Sequence, residues 1–193
     1  MKQILLTALT LIAAITANAQ TNWSLDNSHS NVKFTITHMV ISELEGNFKT
    51  YNGKVTSATD DFQNANIEFN VDVNSINTDD EKRDGHLKGA DFFNAEKFPM
   101  MKFKSTSFKK VNEKNYSLEG DLTIRDVTKK VKFDVVYNGL LKDPWGNTKA
   151  GFKAKSKINR FDYGLKWNAA VEAGGLIVSN EVEISLNIEL KKN

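Results

Sequence analysis

Residues 31–39, NVKFTITHM, place an apolar side chain at every second position. Val32, Phe34 and Ile36 alternate with a lysine and two threonines, and His38 continues the apolar phase. Successive side chains of a β-strand point to opposite faces, so a period of two indicates a strand that buries one face. We predict such a half-buried strand here.

The same period recurs along the chain and decides the fold class. Five further runs alternate regularly, namely residues 67–73, 116–124, 131–137, 150–158 and 182–190. Two less regular strands are expected at residues 46–55 and 100–108, and the spacing of Phe48, Tyr51 and Val55 predicts a bulge in the first. About eight strands in an all-β, antiparallel arrangement follow from this pattern.

Short connections are expected between these strands. The dipeptides Asn52-Gly53, Glu119-Gly120 and Asn138-Gly139 are typical of hairpin turns, and residues 142–147 predict a longer loop. Strands with one apolar face must hide it in a sandwich or by closing into a barrel. An eight-stranded barrel is wide enough to be filled by side chains or to hold one slim ligand, and the period alone leaves both open.

One segment, residues 77–94 (NTDDEKRDGHLKGADFFN), departs from the β pattern. Thr78 or Asp79 can cap a helix whose first turn is acidic, and Gly85 or Gly89 can end it. We therefore predict one or two short helices within the β chain.

The N-terminal residues 1–19 have the pattern of a signal peptide. Lys2 precedes a short apolar run that ends in the small-residue pattern Ala17-Asn18-Ala19. That run is too short to span a bilayer, where about 20 residues are needed. We expect export to the periplasm or the exterior, with residues 20–193 forming one binding domain.

Composition excludes several other kinds of function. The 26 basic and 24 acidic residues give a formal net charge of +2, and the lysines alternate with acids instead of forming a basic stripe. We therefore expect no nucleic-acid partner. The chain has no cysteine, which excludes disulfides, thiolate metal sites and a cysteine nucleophile.

Asp26, Ser28, Ser30 and His29 have the residue types of a hydrolase triad. Neighbours on a strand point to opposite faces, so neither serine hydroxyl is expected on the His29 ring. His29 and His38 would lie about 30 Å apart along one strand, too far to share a zinc ion. We expect no catalytic residue, no metal site and no cofactor.

Two arginines have neighbours that favour a structural role. Arg83 precedes Asp84, and the pair is expected to tie a helix to a barrel rim, with acid-base chemistry as the alternative. Arg160 follows a predicted strand and precedes an aromatic residue, and Gly164 is expected to allow a turn.

Aromatic residues are abundant, with twelve Phe, four Tyr and three Trp. They can form a packed core, or they can line a tunnel for an apolar chain if the lumen is open. Strand parity selects His38 as a polar contact inside the lumen or at its mouth. The same alternation of side chains along the strands predicts eight apolar wall residues, namely Phe34, Ile36, Phe69, Val71, Phe103, Phe133, Phe152 and Ile184.

The order of motifs over residues 23–182 resembles the YceI-like family of exported polyisoprenoid-binding proteins. The matching segments include WSLDNSHS (23–30), EGNF (45–48), NSINT (74–78), RDGHLK (83–88), FKST (103–106), GDLTI (120–124), NR with DYG (159–164) and VSNEV (178–182). Residues 124–127, IRDV, differ from the family, which more often has a glycine at the position of Arg125.

The resemblance implies an eight-stranded, lipocalin-like antiparallel barrel with a helical segment near one end. It implies a polyisoprenoid or isoprenoid-quinone-like amphiphile in the lumen, bound without catalysis, and it leaves the headgroup and the physiological role open. A homodimer is compatible with it. Two alternatives stay open: a lipid-modifying enzyme using His29, His38, Arg83 or His86, and a filled barrel that serves as an interaction module.

Overall fold

The structure, a computed structural model, describes residues 20–169 and 177–193, so the expected signal peptide lies outside the described residues. Within these ranges eleven strands form one antiparallel sheet. They are β1 (Thr21–Leu25), β2 (Asn31–His38), β3 (Ser42–Phe48), β4 (Tyr51–Ser57), β5 (Asn66–Asp72), β6 (Ile76–Asn77), β7 (Met100–Lys110), β8 (Asn115–Ile124), β9 (Val127–Lys142), β10 (Thr148–Asn159) and β11 (Val178–Lys192). The helix α1 spans Glu81–Lys88, and single 3-10 turns span Val73–Ser75 and Arg160–Tyr163.

The sheet closes on itself as a barrel of eight strands, because three pairs of short strands each act as one interrupted strand. One edge of β11 pairs with β10, and its other edge pairs with β2 and then with β1. On their other edge, β2 pairs with β3 and β1 pairs with β4. Next, β3 pairs with β6 and β4 pairs with β5. The strands β7, β8, β9 and β10 then follow β5 in order and complete the barrel. This closed antiparallel barrel confirms the predicted fold class.

The predicted bulge between Phe48 and Val55 is wrong. The chain leaves β3 at Phe48 and begins β4 at Tyr51, and it exchanges the neighbours β2 and β6 for β1 and β5. A change of partner strands breaks the period of two just as a bulge does, so the sequence pattern alone could not separate the two.

The glycine dipeptides also lie elsewhere than expected. Asn52-Gly53 is inside β4 and Glu119-Gly120 is inside β8, so neither forms a turn. Asn138-Gly139 lies inside β9, where the register against β10 shifts between Gly151 and Phe152. Only the loop between β9 and β10 was placed correctly among these four connections.

The helix α1 begins later than predicted. Asp80 is its N-cap and accepts a hydrogen bond from the Arg83 N–H at 3.0 Å, whereas Thr78 or Asp79 was expected to cap. Thr78 is engaged elsewhere, since its N–H and hydroxyl both donate to Asp84 Oδ1, at 2.9 and 2.6 Å. Of the two glycines expected to end the helix, Gly89 does so, and Gly85 lies inside it.

One end of the barrel, here called the floor, is closed by the loop of residues 58–65. Phe62 of this loop is 1% exposed, and its ring lies 4.8 Å from the ring of Trp23 and 5.0 Å from that of Phe152. The hydroxyl of Tyr116 donates to the Asp61 carbonyl at 2.6 Å and holds the loop in place. The opposite end, where α1 lies, is called the helix end.

Candidate ligand-binding cavity

The barrel encloses a cavity of about 570 Å³. On β11 alone, every inward position from Val182 to Leu190 lines it, and Val178 lines it at the helix end. The eight steps from Val182 to Leu190, at about 3.4 Å each, make this part of the wall about 27 Å long. The cavity is therefore a long tube inside the barrel.

Several side chains that face the cavity are only half-buried although they point inward, whereas others, such as Phe133 and Phe152, are buried. Phe34, Ile36, Phe69 and Ile184 all remain partly accessible, because the space in front of them is not filled by other side chains. The lumen is therefore open, an arrangement that does not fit the filled-barrel alternative.

Strand parity placed the candidate wall residues on the correct face. The structure brings together on the cavity wall all nine side chains that were selected, namely Phe34, Ile36, His38, Phe69, Val71, Phe103, Phe133, Phe152 and Ile184. Contact of these residues with a ligand stays a prediction.

Three of the wall phenylalanines lie over glycines of neighbouring strands. Phe34 is paired in register with Gly46, and Phe69 is paired with Gly53. A methyl group built on either glycine would overlap the phenylalanine ring. Gly120 of β8 makes the same room for the ring of a third phenylalanine, Phe103. The sequence indicated turns at two of these glycines, and only the strand register shows their role.

The helix α1 contributes one face to the cavity wall. Lys82, Arg83, His86 and Leu87 line the cavity, and their spacing places them on adjacent positions of one helix side. The ionisable residues that line the cavity within the described part of the chain are all lysine, arginine or histidine, namely Lys33, His38, Lys82, Arg83, His86, Lys102 and Arg160. Lys33 and Lys102 are exposed and lie in the outward phase of β2 and β7, whereas His38, Arg160 and the three ionisable residues of α1 make the helix end rich in hydrogen-bond donors.

Arg83 and Asp84 are joined through Thr78 and not directly to each other. The Arg83 guanidinium donates from Nε to Thr78 Oγ1 at 2.8 Å and from Nη2 to the Thr78 carbonyl at 2.7 Å. Asp84 accepts two hydrogen bonds from the same residue. Both side chains thus fasten α1 to the end of β6, as the structural interpretation predicted.

His86 lies in an aromatic setting at the helix end. Its ring meets Phe92 and Trp167 edge to face, each at a centroid distance of 5.0 Å, and its Nε2 lies 3.3 Å from Asp91 Oδ2. His38, at the end of β2, is half-buried and lines the same cavity. Trp167 was not among the predicted wall residues, because it follows the last regular strand pattern before β11.

Arg160 is a structural clamp, as its sequence neighbours indicated. Its guanidinium donates to the carbonyls of Leu165 at 2.6 Å, Trp167 at 2.9 Å and Ser179 at 2.8 Å, and lies 4.6 Å from the Phe161 ring centroid. These bonds hold the segment that follows β10 against the start of β11. Gly164 has a φ of +77°, which confirms the predicted turn.

The floor end carries the triad-like residues, and here one prediction was wrong. Ser28 and His29 lie in a turn, not on a strand, so the Ser28 hydroxyl does reach His29 Nδ1, at 3.2 Å. Asp26 Oδ2 meets the same nitrogen at 3.1 Å, so the ring does not bridge the serine and the acid. This arrangement lacks the two-sided histidine of a hydrolase triad.

Asp26, His29 and Glu189 lie close enough together to suggest a metal site. The ammonium of Lys149, however, is hydrogen-bonded to Asp26 Oδ2 and lies 2.9 Å from Glu189 Oε1. The bond from Lys149 holds the pKa of Asp26 well below its usual range. A lysine therefore already supplies the positive charge that a metal ion would bring. His38 is on the far side of the molecule, at the helix end.

The comparisons with known proteins agree with this architecture. The family model for a YceI-like domain matches residues 23–190. The chain belongs to the YceI-like family. It is 35% identical over 170 residues to the UPF0312 protein SA2479 of Staphylococcus aureus (strain N315), an alignment that covers 88% of this chain and 96% of that protein.

Two solved structures resemble this YceI-like chain. The YCEI protein of Campylobacter jejuni is 28% identical with a TM-score of 0.70, covering 81% of this chain and 90% of that one. A polyisoprenoid binding domain from Saccharophagus degradans is 14% identical with a TM-score of 0.65, covering 89% and 98%, and shows the fold alone. In the described part of the YceI-like chain, no helix has the length and apolar character needed to cross a membrane.

Proposed function

We propose that this YceI-like protein is an exported carrier that holds a polyisoprenoid, or an isoprenoid-quinone-like amphiphile, in the barrel cavity. The observation that carries the proposal is the open apolar tube, closed at the floor by Phe62 and lined by Lys82, Arg83 and His86 of α1 at its other end. Its length and lining suit a chain better than a compact ligand. The polyisoprenoid binding domain of Saccharophagus degradans, which has the same fold, supports this choice of ligand.

The driving force for binding is burial of the chain. Each buried methylene group contributes about 0.8 kcal/mol before the cost of ordering the chain is subtracted. His38, Lys82, Arg83 and His86 lie at the helix end, where they orient the polar head while the tail points to the floor. The nine wall residues selected by strand parity contact the tail or, for His38, the head.

The protein binds its ligand without changing it, and it works in the periplasm or outside the cell after residues 1–19 are removed. It serves lipid transport, lipid storage or a stress response. The mature protein is one domain, residues 20–193, and it forms a homodimer. Mass spectrometry of the exported protein tests the cleavage site, with Gln20 expected as the first residue. Light scattering at several concentrations tests the dimer.

Organic extraction of the protein purified from its native source tests the ligand directly. Mass spectrometry of the extract is expected to give a stoichiometric isoprenoid lipid. The control is Ala154→Phe, which fills part of the lumen from a buried wall position and should lower the lipid yield. Thermal unfolding shows whether this control is folded. An extract without lipid from the wild-type protein would contradict the proposal.

The same preparation distinguishes carrier from enzyme. Incubating the extracted lipid with fresh protein is expected to return it unchanged. Conversion of the lipid that is lost in His38→Gln or His86→Gln, with binding retained, would establish the lipid-modifying enzyme instead.

A further inference from the structure

Three glycines on the barrel wall leave space that phenylalanine rings occupy. We propose that Gly46, Gly53 and Gly120 determine which chains the cavity accepts, because they let Phe34, Phe69 and Phe103 lie back against the wall. In this proposal, the room that the displaced rings would otherwise take is left for the methyl branches of a chain. This inference rests on the proposed function in one respect, namely that the ligand is a chain inside the lumen.

Each glycine stands at an inward position of its strand. Gly46 lies between Leu44 and Phe48 in the inward phase of β3, and Gly53 holds the equivalent place in β4. Gly120 lies in the unbroken run of buried inward positions of β8. Other inward positions of these strands carry apolar side chains that line the lumen, namely Leu44, Phe48, Val55, Leu118, Leu122 and Ile124. Beside them the glycines are gaps in the wall.

Backbone conformation does not explain these glycines. None of the three has a positive φ, so other residues could adopt the same backbone. Glycine inside a strand costs about 0.5–1 kcal/mol relative to alanine, because it loses more conformational entropy on folding. Space is the property that alanine could not supply, since its methyl group would overlap a ring in each case.

The rings that use this space set the width of the lumen. Phe34, Phe69 and Phe103 all line the cavity, so a ring displaced from its glycine moves into the bore. An unbranched chain is thinner than a chain with methyl branches, and it suffers less from such a displacement. In apolar pockets, one methylene group changes selectivity by about 10-fold to 200-fold. The glycines therefore favour methyl-branched chains as the ligand class.

Gly53→Ala is the sharpest substitution for a test. At Gly46 the side chain of Thr78 also opposes a methyl group, and at Gly120 the carbonyl of Lys104 opposes it. At Gly53 the Phe69 ring is the obstacle, with its Cδ2 at 2.7 Å, whereas the next group, the Glu68 carbonyl, is at 3.4 Å. The substitution therefore acts on the ring and spares the backbone.

Two probes with the same main chain measure the effect. Phytanol and hexadecanol are both saturated alcohols and differ only in the methyl branches of phytanol. Gly53→Ala is expected to weaken phytanol binding about tenfold and hexadecanol binding less. Adding Phe69→Leu to Gly53→Ala removes the displaced ring and should restore phytanol binding. Gly151→Ala is the matched control, because a methyl group there meets only ordinary contacts, the nearest at 3.5 Å.

The outcomes separate this inference from the proposed function. If the wild-type protein binds neither alcohol, the proposed function fails. If it binds them and Gly53→Ala leaves the ratio of the two affinities unchanged, the inference is overturned and the carrier function stands. If Gly53→Ala does not fold, Phe69→Leu alone decides, since a wider bore must raise the affinity for phytanol relative to hexadecanol. An unchanged ratio in that variant overturns the inference equally.

Discussion

A buried hydroxyl at Tyr163 makes the stability of the barrel sensitive to alkaline pH. Tyr163 is 1% exposed, its hydroxyl has no hydrogen-bond partner among the described residues, and burial raises its pKa to about 12. The unfolded chain releases this proton near pH 10 and the folded chain does not. The contribution of Tyr163 to stability is therefore intact below pH 10 and is lost as the pH rises through 12.

Tyr163→Phe should remove this part of the pH dependence. At pH 11 the ionisation of Tyr163 should have lowered the free energy of unfolding of the wild-type protein by about 1 kcal/mol. The free energy of unfolding of the variant should fall by correspondingly less. Urea unfolding at pH 8 and pH 11 measures the difference. Burial also raises the pKa values of Tyr51, Tyr116 and Tyr137, so only the comparison between the two proteins is informative. Equal losses in both would contradict the prediction.

Val40 is a residue in an unfavourable backbone conformation. It has a φ of +66° in the turn between β2 and β3, although its side chain is branched and 73% exposed. The left-handed region costs most residues about 1–2 kcal/mol, and asparagine tolerates it better. Val40→Asn should therefore raise the free energy of unfolding by about 1 kcal/mol in urea titration. Val111→Asn, at an exposed position with ordinary backbone, should give no such gain.

Arg125 shows what residue-level reasoning could and could not predict. The resemblance to the family led us to expect glycine here, and the φ of +57° is a conformation that favours glycine. Its side chain donates to the carbonyls of Phe92 at 3.2 Å and Gly164 at 3.1 Å. The unusual residue was visible in the sequence, but these two bonds come from distant segments, and no local pattern contains them.

At the scale of elements, the joint between β6 and α1 depends on one buried carboxylate. Asp84 accepts both hydrogen bonds of Thr78, and both residues are buried. Asp84→Ala would leave a buried N–H and a hydroxyl unpaired, at a cost of about 2 kcal/mol. The exposed Glu81→Ala, in the first turn of the same helix, is the control and should change little. Thermal unfolding compares them, and equal midpoints would refute the role of this joint.

Strands were predictable from the sequence where their own backbone continues without a break. The alternation in β2, β5 and β11 is a local property, and it placed Phe34, Phe69 and Ile184 on the cavity side. The break between β3 and β4 depends on which strands lie beside them, so it was mistaken for a bulge. Gly53 and Gly120 were mistaken for turn residues, because their purpose is the room they give to rings on other strands.

For the whole molecule, the floor is the feature that the sequence did not indicate. Phe62 lies in a loop without any period, with a φ of +59°, and yet it is among the most buried side chains. Phe62→Ala should lower the free energy of unfolding by about 3–5 kcal/mol, because it leaves a cavity among the rings of Trp23, Tyr137 and Phe152. Val136→Ala, at an exposed site, is the control.

The same variant tests the floor as the end of the binding tube. Extraction and mass spectrometry of Phe62→Ala should show a shift to longer chains, because the space left by the ring extends the cavity. Lipids of unchanged length, with the expected loss of stability, would show that the chain does not reach the floor.

The closed floor also constrains the kinetics of exchange. Because Phe62 closes the floor, a bound chain leaves through the helix end, where it entered. A second chain cannot enter the cavity while the first one occupies it. Replacement then has to wait for departure, so its rate equals the dissociation rate and does not increase with the concentration of the competing chain. The residence time of the first bound chain thus sets the rate at which the carrier exchanges its ligand, at any concentration of the second chain.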